Sequence, residues 1–489
     1  MNGRQSEFRR RVVVVGGGIS GLATAHRLIE SSSHLPFPLE VKLLEASGRL
    51  GGVIQTAHRE GFLLEAGPDS FISEKPWALD LAQRLDLGSH LIGSSKDYRR
   101  SFIVRDGRLL PVPEGFYLLA PTQVWPFLSS PIFSWQGKLR MAADLILPRK
   151  GHLAADSDES LADFVRRRLG QEALERMAQP MVGGIYTSDP EQLSLRATMP
   201  RFLEMERRHR SVILGILRQR GRRARAAEDS AGGPRYGLFV SFDQGMQTLV
   251  DSLQARLPAG SICLNTSVES LDRSPASALW ILNLRDGGRL EADAVCLALA
   301  SYQSAKLVGR FDSGLSEKMK LVPYASTATV NLAYSRSAVP HPLDGFGFVV
   351  PAIERRQILA CTFCHIKFEG RSRKDQALLR AFVGGALQPA VFQLDDREMV
   401  RVVRQELQDL LGVSAEPLFH RVDRHPKAMA QYPVGHLEWV TEVESRVQRH
   451  STLQLAGNAF TGVGIPDCVH RGEECADRIL AELQKGVST

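Results

Sequence analysis

A glycine-rich turn near the start of the chain has the spacing of a dinucleotide-binding loop. Its six residues are Gly16, Gly17, Gly18, Ile19, Ser20 and Gly21. In the G-x-G-x-x-G pattern the first glycine allows a tight turn, the second lets backbone amides approach a pyrophosphate, and the third lets the helix pack on the strand. The positive end of the following helix would face the phosphates. The pattern predicts a nucleotide-binding loop, with a plain tight turn as the alternative.

Glu45 supports the nucleotide interpretation through its position. It directly follows residues 39–44, which predict a second strand. A carboxylate at the end of that strand can accept both ribose hydroxyls of an adenosine. The interval from Gly21 is slightly longer than usual, and a loop over 31–38 accounts for the extra residues. Glu45 and its neighbour Ala46 are therefore candidate adenosine contacts rather than an ordinary strand end.

These residues need a strand, a helix and a second strand to position them. Residues 11–15 predict the first strand, and apolar residues at helical spacing over 19–29 predict the helix. The end of the chain repeats this order of elements, with a strand at 453–456, then Gly457, then a helix at 469–484. We therefore expect an α/β fold that includes a Rossmann-like dinucleotide-binding domain.

Composition and charge limit the function classes. A chain of 489 residues with 43% hydrophobic and 24% charged residues is expected to form two or three globular domains. The net charge is +7 and the pI about 9.1, partly because arginines crowd the segment 207–225. Nucleic-acid binding is not expected, because neither a nucleic-acid fold signature nor interleaved aromatic residues accompany them. Neither a signal peptide nor a membrane-spanning helix is predicted.

The six cysteines are too few and too scattered for a disulfide framework. Reduced thiols in a cytosol-like compartment are therefore expected. Cys361 and Cys364 form a single CxxC, and a second pair that would complete a zinc site does not follow. The apolar run 358–368 around them predicts a strand, with the two thiols buried on opposite faces, so no metal site is predicted.

The remaining chain divides into segments that differ in composition and predicted secondary structure. Residues 98–148 mix prolines with aromatic residues, and helices are predicted at 161–169, 173–181 and 200–217. The segment 221–234, rich in Arg, Ala and Gly, predicts a flexible loop. The other predicted strands are 236–242, 262–268, 279–285, 294–299, 326–334 and 346–350, and the other predicted helices are 77–85, 246–257 and 399–411.

Three further motifs resemble those of the amine-oxidase-like flavoproteins. Arg49-Leu50-Gly51-Gly52 resembles their arginine–x–glycine–glycine signature, in which the arginine can offset diphosphate charge. Leu64-Glu65-Ala66-Gly67-Pro68 resembles the strand and turn that reach the flavin ring, and Gly457 with 462–467 resembles the closing motif. The resemblance implies FAD as the cofactor. Beyond the residues above, it implies FAD contacts at Arg49, Gly52, Val53, Leu64, Glu65, Ala66, Gly67, Val268, Gly457, Val463, Gly464 and Ile465.

Within that superfamily the chain resembles the protoporphyrinogen oxidase family over nearly its whole length. Val53 stands where amine oxidases and carotene desaturases usually have a second arginine. The stretch 183–194 is similar to the family's glycine–hydrophobic–aromatic segment ending in Leu-Ser, 205–215 to the helix after it, and 241–246 to a glycine–methionine turn. The resemblance implies an oxygen-dependent enzyme of haem biosynthesis. Such an enzyme oxidises protoporphyrinogen IX by hydride transfer to flavin N5 and releases hydrogen peroxide.

The resemblance also implies where the substrate binds, although it assigns no catalytic acid or base. Gly184 is expected at a flat slot beside the flavin, where a side chain would obstruct the macrocycle. Phe346, Val349 and Phe382 are expected as apolar walls of that slot. From the residues alone, packing of strands in a core is the alternative.

One position departs from the family pattern. The arginine that binds a propionate there usually comes directly before an aromatic–aliphatic strand start, and here Ser101 occupies that place, with Arg100 before it. Neighbours in a strand point to opposite faces, so Arg100 is an uncertain replacement. The departure keeps coproporphyrinogen III, with four propionates, open beside protoporphyrinogen IX, with two. Arginines at 207–210 could assist either substrate.

The resemblance implies three domains. The FAD-binding domain comprises 8–97, 235–300 and 450–489, a helical subdomain comprises 98–220, and a mixed-sheet substrate-binding domain comprises 301–449. The flexible loop at 221–234 is expected to connect the helical subdomain to the next part of the FAD-binding domain.

The expected partners are a porphyrinogen and molecular oxygen, without nucleic acid, and a homodimer is compatible with the resemblance. The stretch 116–135 resembles the family's membrane-associating region, and Lys138 and Arg140 would favour anionic headgroups. Cytoplasmic localisation with peripheral membrane contact is therefore expected, and a buried aromatic core is the alternative. Other functions left open are a desaturase or amine oxidase, and a non-catalytic tetrapyrrole-binding flavoprotein.

Overall fold

The computed structural model describes most of the chain. It covers residues 9–98, 100–114, 116–117, 120–121, 123–149, 158–218, 238–275, 277 and 279–485. The predicted flexible loop at 221–234 lies outside these residues. Among the residues described, none of the helices combines the length and the apolarity needed to cross a bilayer.

The chain forms strands throughout its length, and they are numbered in chain order. They are β1 (Arg10–Val15), β2 (Leu39–Leu44), β3 (Thr56–Arg59), β4 (Phe62–Glu65), β5 (Phe71–Ile72), β6 (Leu91–Gly93), β7 (Phe102–Arg105), β8 (Arg108–Pro111), β9 (Phe116–Tyr117), β10 (Ala120–Pro121), β11 (Phe239–Phe242), β12 (Ile262–Cys263), β13 (Val268–Arg273), β14 (Trp280–Leu284), β15 (Arg289–Ala292), β16 (Ala294–Leu297), β17 (Tyr324–Ser335), β18 (Gly347–Val349), β19 (Ala360–Phe363), β20 (Gln376–Gly384), β21 (Phe419–Ala430) and β22 (Leu453–Leu455).

The helices concentrate in the middle of the chain and at its two ends. They are α1 (Ile19–Ser31), α2 (Trp77–Arg84), α3 (Val124–Ser129), α4 (Trp135–Ala142), α5 (Leu161–Arg168), α6 (Gln171–Ala173), α7 (Gln179–Tyr186), α8 (Leu195–Thr198), α9 (Pro200–His209), α10 (212–218), α11 (Gln247–Arg256), α12 (Ser301–Val308), α13 (Ser313–Lys320), α14 (Cys364–Lys367), α15 (Pro389–Gln393), α16 (Asp396–Leu411), α17 (His436–Val447) and α18 (Ile465–Lys485).

A five-stranded parallel sheet forms the dinucleotide-binding part of the molecule. Its order is β12-β2-β1-β16-β22. In β1, Val12 and Val14 belong to one hydrophobic cluster and Val13 and Val15 to another, so both faces of the strand are buried. A continuous apolar run is typical of such a strand. Helices α1 and α18 pack together, and Thr24 Oγ1 donates to Gly472 O at 3.0 Å.

A seven-stranded mixed sheet forms the second layer, in the order β21-β17-β20-β19-β18-β7-β8. Its outer face packs on α16, with Val330 and Phe348 in the same hydrophobic cluster as Val403. The opposite face is called the inner face below. Because paired residues of neighbouring strands share a face, the inner face carries one row across the sheet. From one side to the other, the row comprises Val349, Ala360, Phe382, Thr329 and Asp423.

The helical layer α4–α10 is fastened by a buried ion pair. Arg168 Nε donates to Asp144 Oδ1 at 2.6 Å, and Asp144 Oδ2 accepts from Ser211 Oγ at 2.6 Å. Charged groups this deeply buried are stable only when their hydrogen bonds are satisfied. The network holds the layer that carries α7 and its Gly184 above the inner face.

Two predicted strands are wrong in part because the chain turns within them. The predicted strand 262–268 is split, because Asn265 adopts φ +53° and the chain leaves β12 for β13 of a separate three-stranded sheet. The predicted strand 358–368 ends at Phe363. Cys364 starts α14, so Cys361 and Cys364 do not share one strand, although both are buried as predicted.

Two predicted helical regions are also corrected. The predicted helix 200–217 is interrupted at Arg210, whose φ of +63° closes α9. Residues 102–111, which the sequence placed in the helical subdomain, form β7 and β8 at the edge of the seven-stranded sheet. The other predicted elements are present within a few residues, whereas the domain boundaries stay a prediction.

Candidate functional site

The two glycine motifs of the N-terminal part touch each other. Gly51 N donates to Gly17 O at 2.8 Å, and Gly18 pairs with Gly51 in an isolated parallel bridge. Gly16 and Gly51 have φ of +109° and +101°, a backbone region that favours glycine. Turns from two separate motifs therefore form one cradle at the carboxyl end of β1.

The cradle suits a diphosphate. Gly18 is the N-cap of α1, and a Cβ built on it would enter open space, with no described atom beyond its local chain within 4 Å. Because glycine has no side chain, this cap supplies no acceptor for the amides of the first turn, and the first turn contains no acidic residue. Such amides bind phosphate oxygens well. Ile19, Ser20 and Gly21 supply the amides of that turn.

Glu45 is held in place at the end of β2. Its Oε2 accepts from Gly17 N at 2.7 Å and its Oε1 from Ser47 N at 2.8 Å. Each carboxylate oxygen keeps a lone pair for a ribose hydroxyl. Ala46 is exposed beside it, and Glu45 O accepts from Thr266 N at 2.8 Å, two residues before Val268 at the start of β13. These residues fit the adenosine half of FAD.

Arg49 folds over its own loop. Its guanidinium donates to the carbonyl oxygens of Leu50, Gly52 and Ile54 at 2.5–3.1 Å. Its positive charge stays at the cradle, where it can offset a diphosphate. Arg49, Gly52, Val53 and Ala66 line a cavity of about 290 Å³ whose other wall comes from β21.

At Leu64 and Glu65 the side chains and the backbone have different roles. Leu64 is buried in a hydrophobic cluster with Leu378 and does not face the cavity. Glu65 is buried too: its Oε1 accepts from Met246 N and its Oε2 from Thr56 Oγ1, both at 2.8 Å. Burial raises the pKa of Glu65. At these positions only the backbone can approach a cofactor.

The turn 65–69 is fastened to the inner face by side chains from three strands. Thr329 Oγ1 donates to Ala66 O at 2.7 Å, and Asn331 Nδ2 donates to Glu65 O at 3.2 Å. His425 Nε2 lies 2.9 Å from the same Ala66 oxygen, and Arg380 Nη1 donates to Gly67 O at 3.1 Å. A side chain at Gly67 would collide with the carbonyl oxygen of Val53. The turn thus has one position relative to the sheet.

Asp69 ends this turn inside a cluster of charges. Lys367 Nζ lies 3.0 Å from both carboxylate oxygens, and Arg380 Nη2 lies 2.9 Å from Oδ2. Burial alone would raise the pKa of the Asp69 carboxyl, but the two cations hold this pKa well below its usual range. Asp69 is therefore ionised. From the sequence alone, a solvated loop is the commoner environment for an aspartate that follows Gly67-Pro68, whereas the structure buries Asp69.

The closing motif lies at the start of α18. Gly457 follows β22 with φ +118°, Val463 and Gly464 are partly exposed, and Ile465 begins the helix. Ser20, in the first turn of α1, lies so close to Gly472 that a Cβ there would collide with its carbonyl oxygen. The first turn of α1 thus packs against α18, about two turns after the start of that helix.

The predicted slot residues come together on the inner face. Gly184 is exposed on α7, and a Cβ built on it would stand 3.9 Å from Val349 Cγ1, so the two residues are close neighbours that border one open surface, called the slot below. Phe382 lies in the same row as Val349, with Ala360 between them. Phe346 is partly exposed, and its amide donates to Arg100 O at 2.9 Å. This surface is apolar, and its row of residues continues through Phe382 to Thr329, which bonds to the turn 65–69.

The rim of the slot does not present Arg100. Phe102 packs in the outer cluster and Ile103 pairs with Val349, so alternation puts Ser101 on the inner face and Arg100 on the outer one. Arg100 Nη1 lies 3.2 Å from Asp344 Oδ2. Arg210, one of the arginines at 207–210, lies in the helical layer, where its carbonyl accepts from Arg168 Nη2.

A second hollow of about 380 Å³ lies on the helical layer, lined by Glu159, Asp163, Arg166 and Arg167. These charges pair with one another and with neighbours; Arg167 Nη2, for example, donates to Glu159 Oε1 at 2.7 Å. A wholly charged, internally paired lining does not suit an apolar macrocycle.

Sequence reasoning missed the residues that hold the turn. Thr329, Asn331, Lys367, Arg380 and His425 were not among the candidates. One signal was readable: in 324–335, polar residues at 327, 329 and 331 alternate with apolar ones, which indicates a strand with one polar face. Strands β20 and β21 were not predicted at all, so Arg380 and His425 had no element to place them.

Comparisons with known proteins agree with this architecture. The family described as flavin containing amine oxidoreductase matches residues 19–480. The coproporphyrinogen III oxidase of Bacillus subtilis is 33% identical over 98% of this chain and 99% of its own length. The Bos taurus protoporphyrinogen oxidase is 30% identical over 96% of this chain and 98% of its own. A crystal structure from an Exiguobacterium species, provisionally assigned as a protoporphyrinogen oxidase, has a TM-score of 0.84 at 30% identity and covers 98% of this chain and 100% of its own.

Proposed function

This chain belongs to the flavin containing amine oxidoreductases, and within them to the FAD-dependent porphyrinogen oxidases; we propose that it oxidises coproporphyrinogen III. Relatives from three bacteria, at 30–35% identity, are coproporphyrinogen III oxidases. Protoporphyrinogen IX is the second candidate, because the Bos taurus relative carries that name at 30% identity.

The observation that carries the proposal is the apolar surface at Gly184 and Val349. It continues along the same sheet face to the residues that hold the turn 65–69. A porphyrinogen is a large, mostly apolar macrocycle with charged carboxylates at its edge. A flat apolar surface with a solvated rim suits that shape.

The reaction requires positioning more than proton transfer. Bound FAD supplies a two-electron acceptor that molecular oxygen can reoxidise. The chain orients the macrocycle on the slot surface at Gly184 and Val349, and Phe382 helps to exclude water from this surface. The turn 65–69 and the cradle at Gly18 hold the cofactor next to the slot. Geometry of this kind lowers the barrier by removing the entropy of encounter.

The rim supports the choice of coproporphyrinogen III. Ser101 lies on the inner face where the resemblance implies an arginine, and Arg100 pairs with Asp344 on the other face. The rim at β7 therefore lacks the guanidinium expected for a two-propionate substrate. We infer that the carboxylates of this substrate are recognised in another pattern, as a four-propionate macrocycle would require.

Steady-state assays test the substrate. Anaerobically prepared coproporphyrinogen III and protoporphyrinogen IX are added separately to the holoprotein in air, with porphyrin fluorescence and hydrogen peroxide followed together. We expect flavin-dependent turnover of both, with the larger kcat/KM for coproporphyrinogen III. A larger kcat/KM for protoporphyrinogen IX would identify that compound as the substrate instead. Oxidation of a polyene or an amine, with neither porphyrinogen used, would reject both.

A peripheral membrane contact is also proposed, through α3 and α4. Trp125, Trp135, Leu139 and Ile146 are 67–80% exposed on this surface. Lys138, expected to meet headgroups, is buried instead and donates to Leu128 O at 2.7 Å. Arg140 donates to three backbone carbonyls of α5, at 2.7–3.1 Å. The contact is therefore apolar rather than electrostatic.

Vesicle co-sedimentation tests this contact. We expect binding to neutral phosphatidylcholine vesicles that changes little with salt and falls when Trp125→Ser and Trp135→Ser are combined. Binding only to anionic vesicles, lost at high salt, would contradict an apolar contact. The cytoplasmic face and a homodimer stay predictions.

A further inference from the structure

The charged cluster behind the turn 65–69 lies where it can act on the flavin. We propose that Asp69 and Lys367 set the reduction potential of the bound flavin, and that Arg380 is a positioning residue for the turn. The inference rests on the proposed flavin chemistry, but its test requires no porphyrinogen.

The cluster is buried and its geometry is specific. The side chains of Arg380, Asp69 and Lys367 are 3%, 12% and 13% exposed. Arg380 uses one guanidinium nitrogen for Gly67 O and another for Asp69 Oδ2, so a single side chain joins the backbone of the turn to its carboxylate. The fork geometry of arginine permits this double contact, and the ammonium of lysine does not.

Arg380 also connects the cluster to the slot. Its Cζ lies 4.9 Å from the ring centroid of Phe382, two residues along β20 on the same face. Ala66, held by Thr329 and His425, lines the cavity next to Gly52 and Val53. The cluster thus stands directly behind the backbone that borders the cofactor cavity, with the slot wall beside it.

The cluster carries an excess of positive charge. Arg371, 2% exposed, donates to Ser241 Oγ at 2.8 Å, and that hydroxyl donates to Asp69 O at 2.7 Å. Three cations, Lys367, Arg371 and Arg380, therefore face two carboxylates, those of Asp69 and Glu65. Burial raises the pKa of Glu65, which can only add to the excess.

Such an excess favours reduced flavin, which carries negative charge when it is deprotonated. The sign of each substitution then follows. Lys367→Met removes a positive charge and lowers the potential, whereas Asp69→Asn removes a negative charge and raises it. A general loosening of the turn would move both variants in the same direction.

The experiment measures the midpoint potential of FAD in the purified holoprotein, by anaerobic reduction against a reference dye. We expect each variant to shift the reduction equilibrium by about tenfold, which is about 30 mV for a two-electron couple, in opposite directions. Lys367→Arg keeps the charge and should stay near the wild type. Arg380→Lys keeps the charge but loses the fork, and should alter the visible spectrum of the flavin more than its potential.

Arg356→Gln is the matched control. Arg356 belongs to the same domain and pairs with Glu406 and Asp409 at 2.9–3.0 Å, away from the turn. Its potential should equal that of the wild type. If Asp69→Asn fails to retain FAD, the proposal is still tested by comparing the midpoint potentials of Lys367→Met and Lys367→Arg. Equal potentials in that pair, or shifts of the same sign in Lys367→Met and Asp69→Asn, would overturn the proposal.

Discussion

The inner face of the seven-stranded sheet has two halves of opposite chemistry. On the β18–β20 side it is apolar, with Val349, Ala360 and Phe382 in one row. On the β17–β21 side the same row continues with Thr329 and Asp423. The apolar half forms a wall in which each side chain could be replaced by another apolar side chain of similar size. The polar half, together with Arg380 of β20, donates hydrogen bonds to named backbone atoms of the turn 65–69.

This difference shows how one sheet can support both the substrate slot and the turn 65–69. A wall tolerates volume-conserving changes, because its contribution is spread over many weak contacts. A set of buried hydrogen bonds does not, because each lost partner leaves a polar group unsatisfied. We therefore expect substitutions in the polar half to lower stability and FAD retention, and changes at the slot to lower turnover alone.

The largest effect is expected in the polar half. Asp69→Asn removes the partner of Lys367 and Arg380 and leaves two buried cations under-compensated. Losing one member of a buried ion pair costs about 3–5 kcal/mol of unfolding free energy. Chemical denaturation of the holoprotein measures it. Asp86→Asn, at a carboxylate 82% exposed beside Arg256, is the control and should stay within about 0.5 kcal/mol.

The difference in unfolding free energy between wild type and Asp69→Asn should also depend on pH. The pKa of Asp69 is lower in the folded protein than in the unfolded chain, so its stabilisation is present above the unfolded value of about 3.9. It declines as the pH falls below that value. The stability difference between wild type and Asp69→Asn should thus be constant from pH 8 to about pH 5 and narrow below about pH 4. A difference that grows on acidification would contradict the ion pair.

The next effect is expected at the slot. Gly184→Phe places an aromatic ring on the slot surface beside Val349, and should lower kcat/KM for the porphyrinogen by about 100-fold. FAD content and thermal stability should not change, because Gly184 is exposed on α7. Gly184→Ala is the graded control, since its Cβ would make only an ordinary contact with Val349. Loss of FAD in Gly184→Phe would break the distinction between the two halves.

A smaller effect is expected from one hydrogen bond of the polar half. Thr329→Val preserves shape but leaves Ala66 O without its hydroxyl donor, at a cost of about 1–2 kcal/mol. Thermal unfolding and FAD retention during dialysis measure it. Thr441→Val is the control, because that exposed hydroxyl bonds to Leu437 O where water can replace it. Equal losses in both variants would mean that the turn does not depend on Thr329.

The smallest effect is expected at the rim. Ser101→Arg restores the guanidinium implied by the family pattern, and should shift the ratio of kcat/KM values towards protoporphyrinogen IX by about fivefold. A solvated ion pair contributes about 1 kcal/mol, which sets that limit. Competition between the two substrates in one assay measures the ratio. A shift towards coproporphyrinogen III would show that Ser101 does not mark the difference.

The two halves also differ in how far the sequence predicts them. Val349, Phe382 and Gly184 were named from motifs, as were the glycine turns, because those signals lie within short segments. The polar half joins a turn at 65–69 to strands about 260 to 360 residues later, and pairing at that distance leaves no local pattern. Arg380 and His425 were missed for that reason, and Asp69 was mistaken for a solvated residue because its partners are equally remote.

The most direct test of the account is the anaerobic reductive half-reaction. The holoprotein is mixed with coproporphyrinogen III without oxygen, and the visible absorbance of the flavin is followed through a single turnover. The account predicts rapid flavin bleaching in the wild type and a rate about 100-fold lower in Gly184→Phe, with dithionite reducing both equally. Equal bleaching of both proteins by the porphyrinogen would contradict a slot between α7 and the apolar half of the sheet.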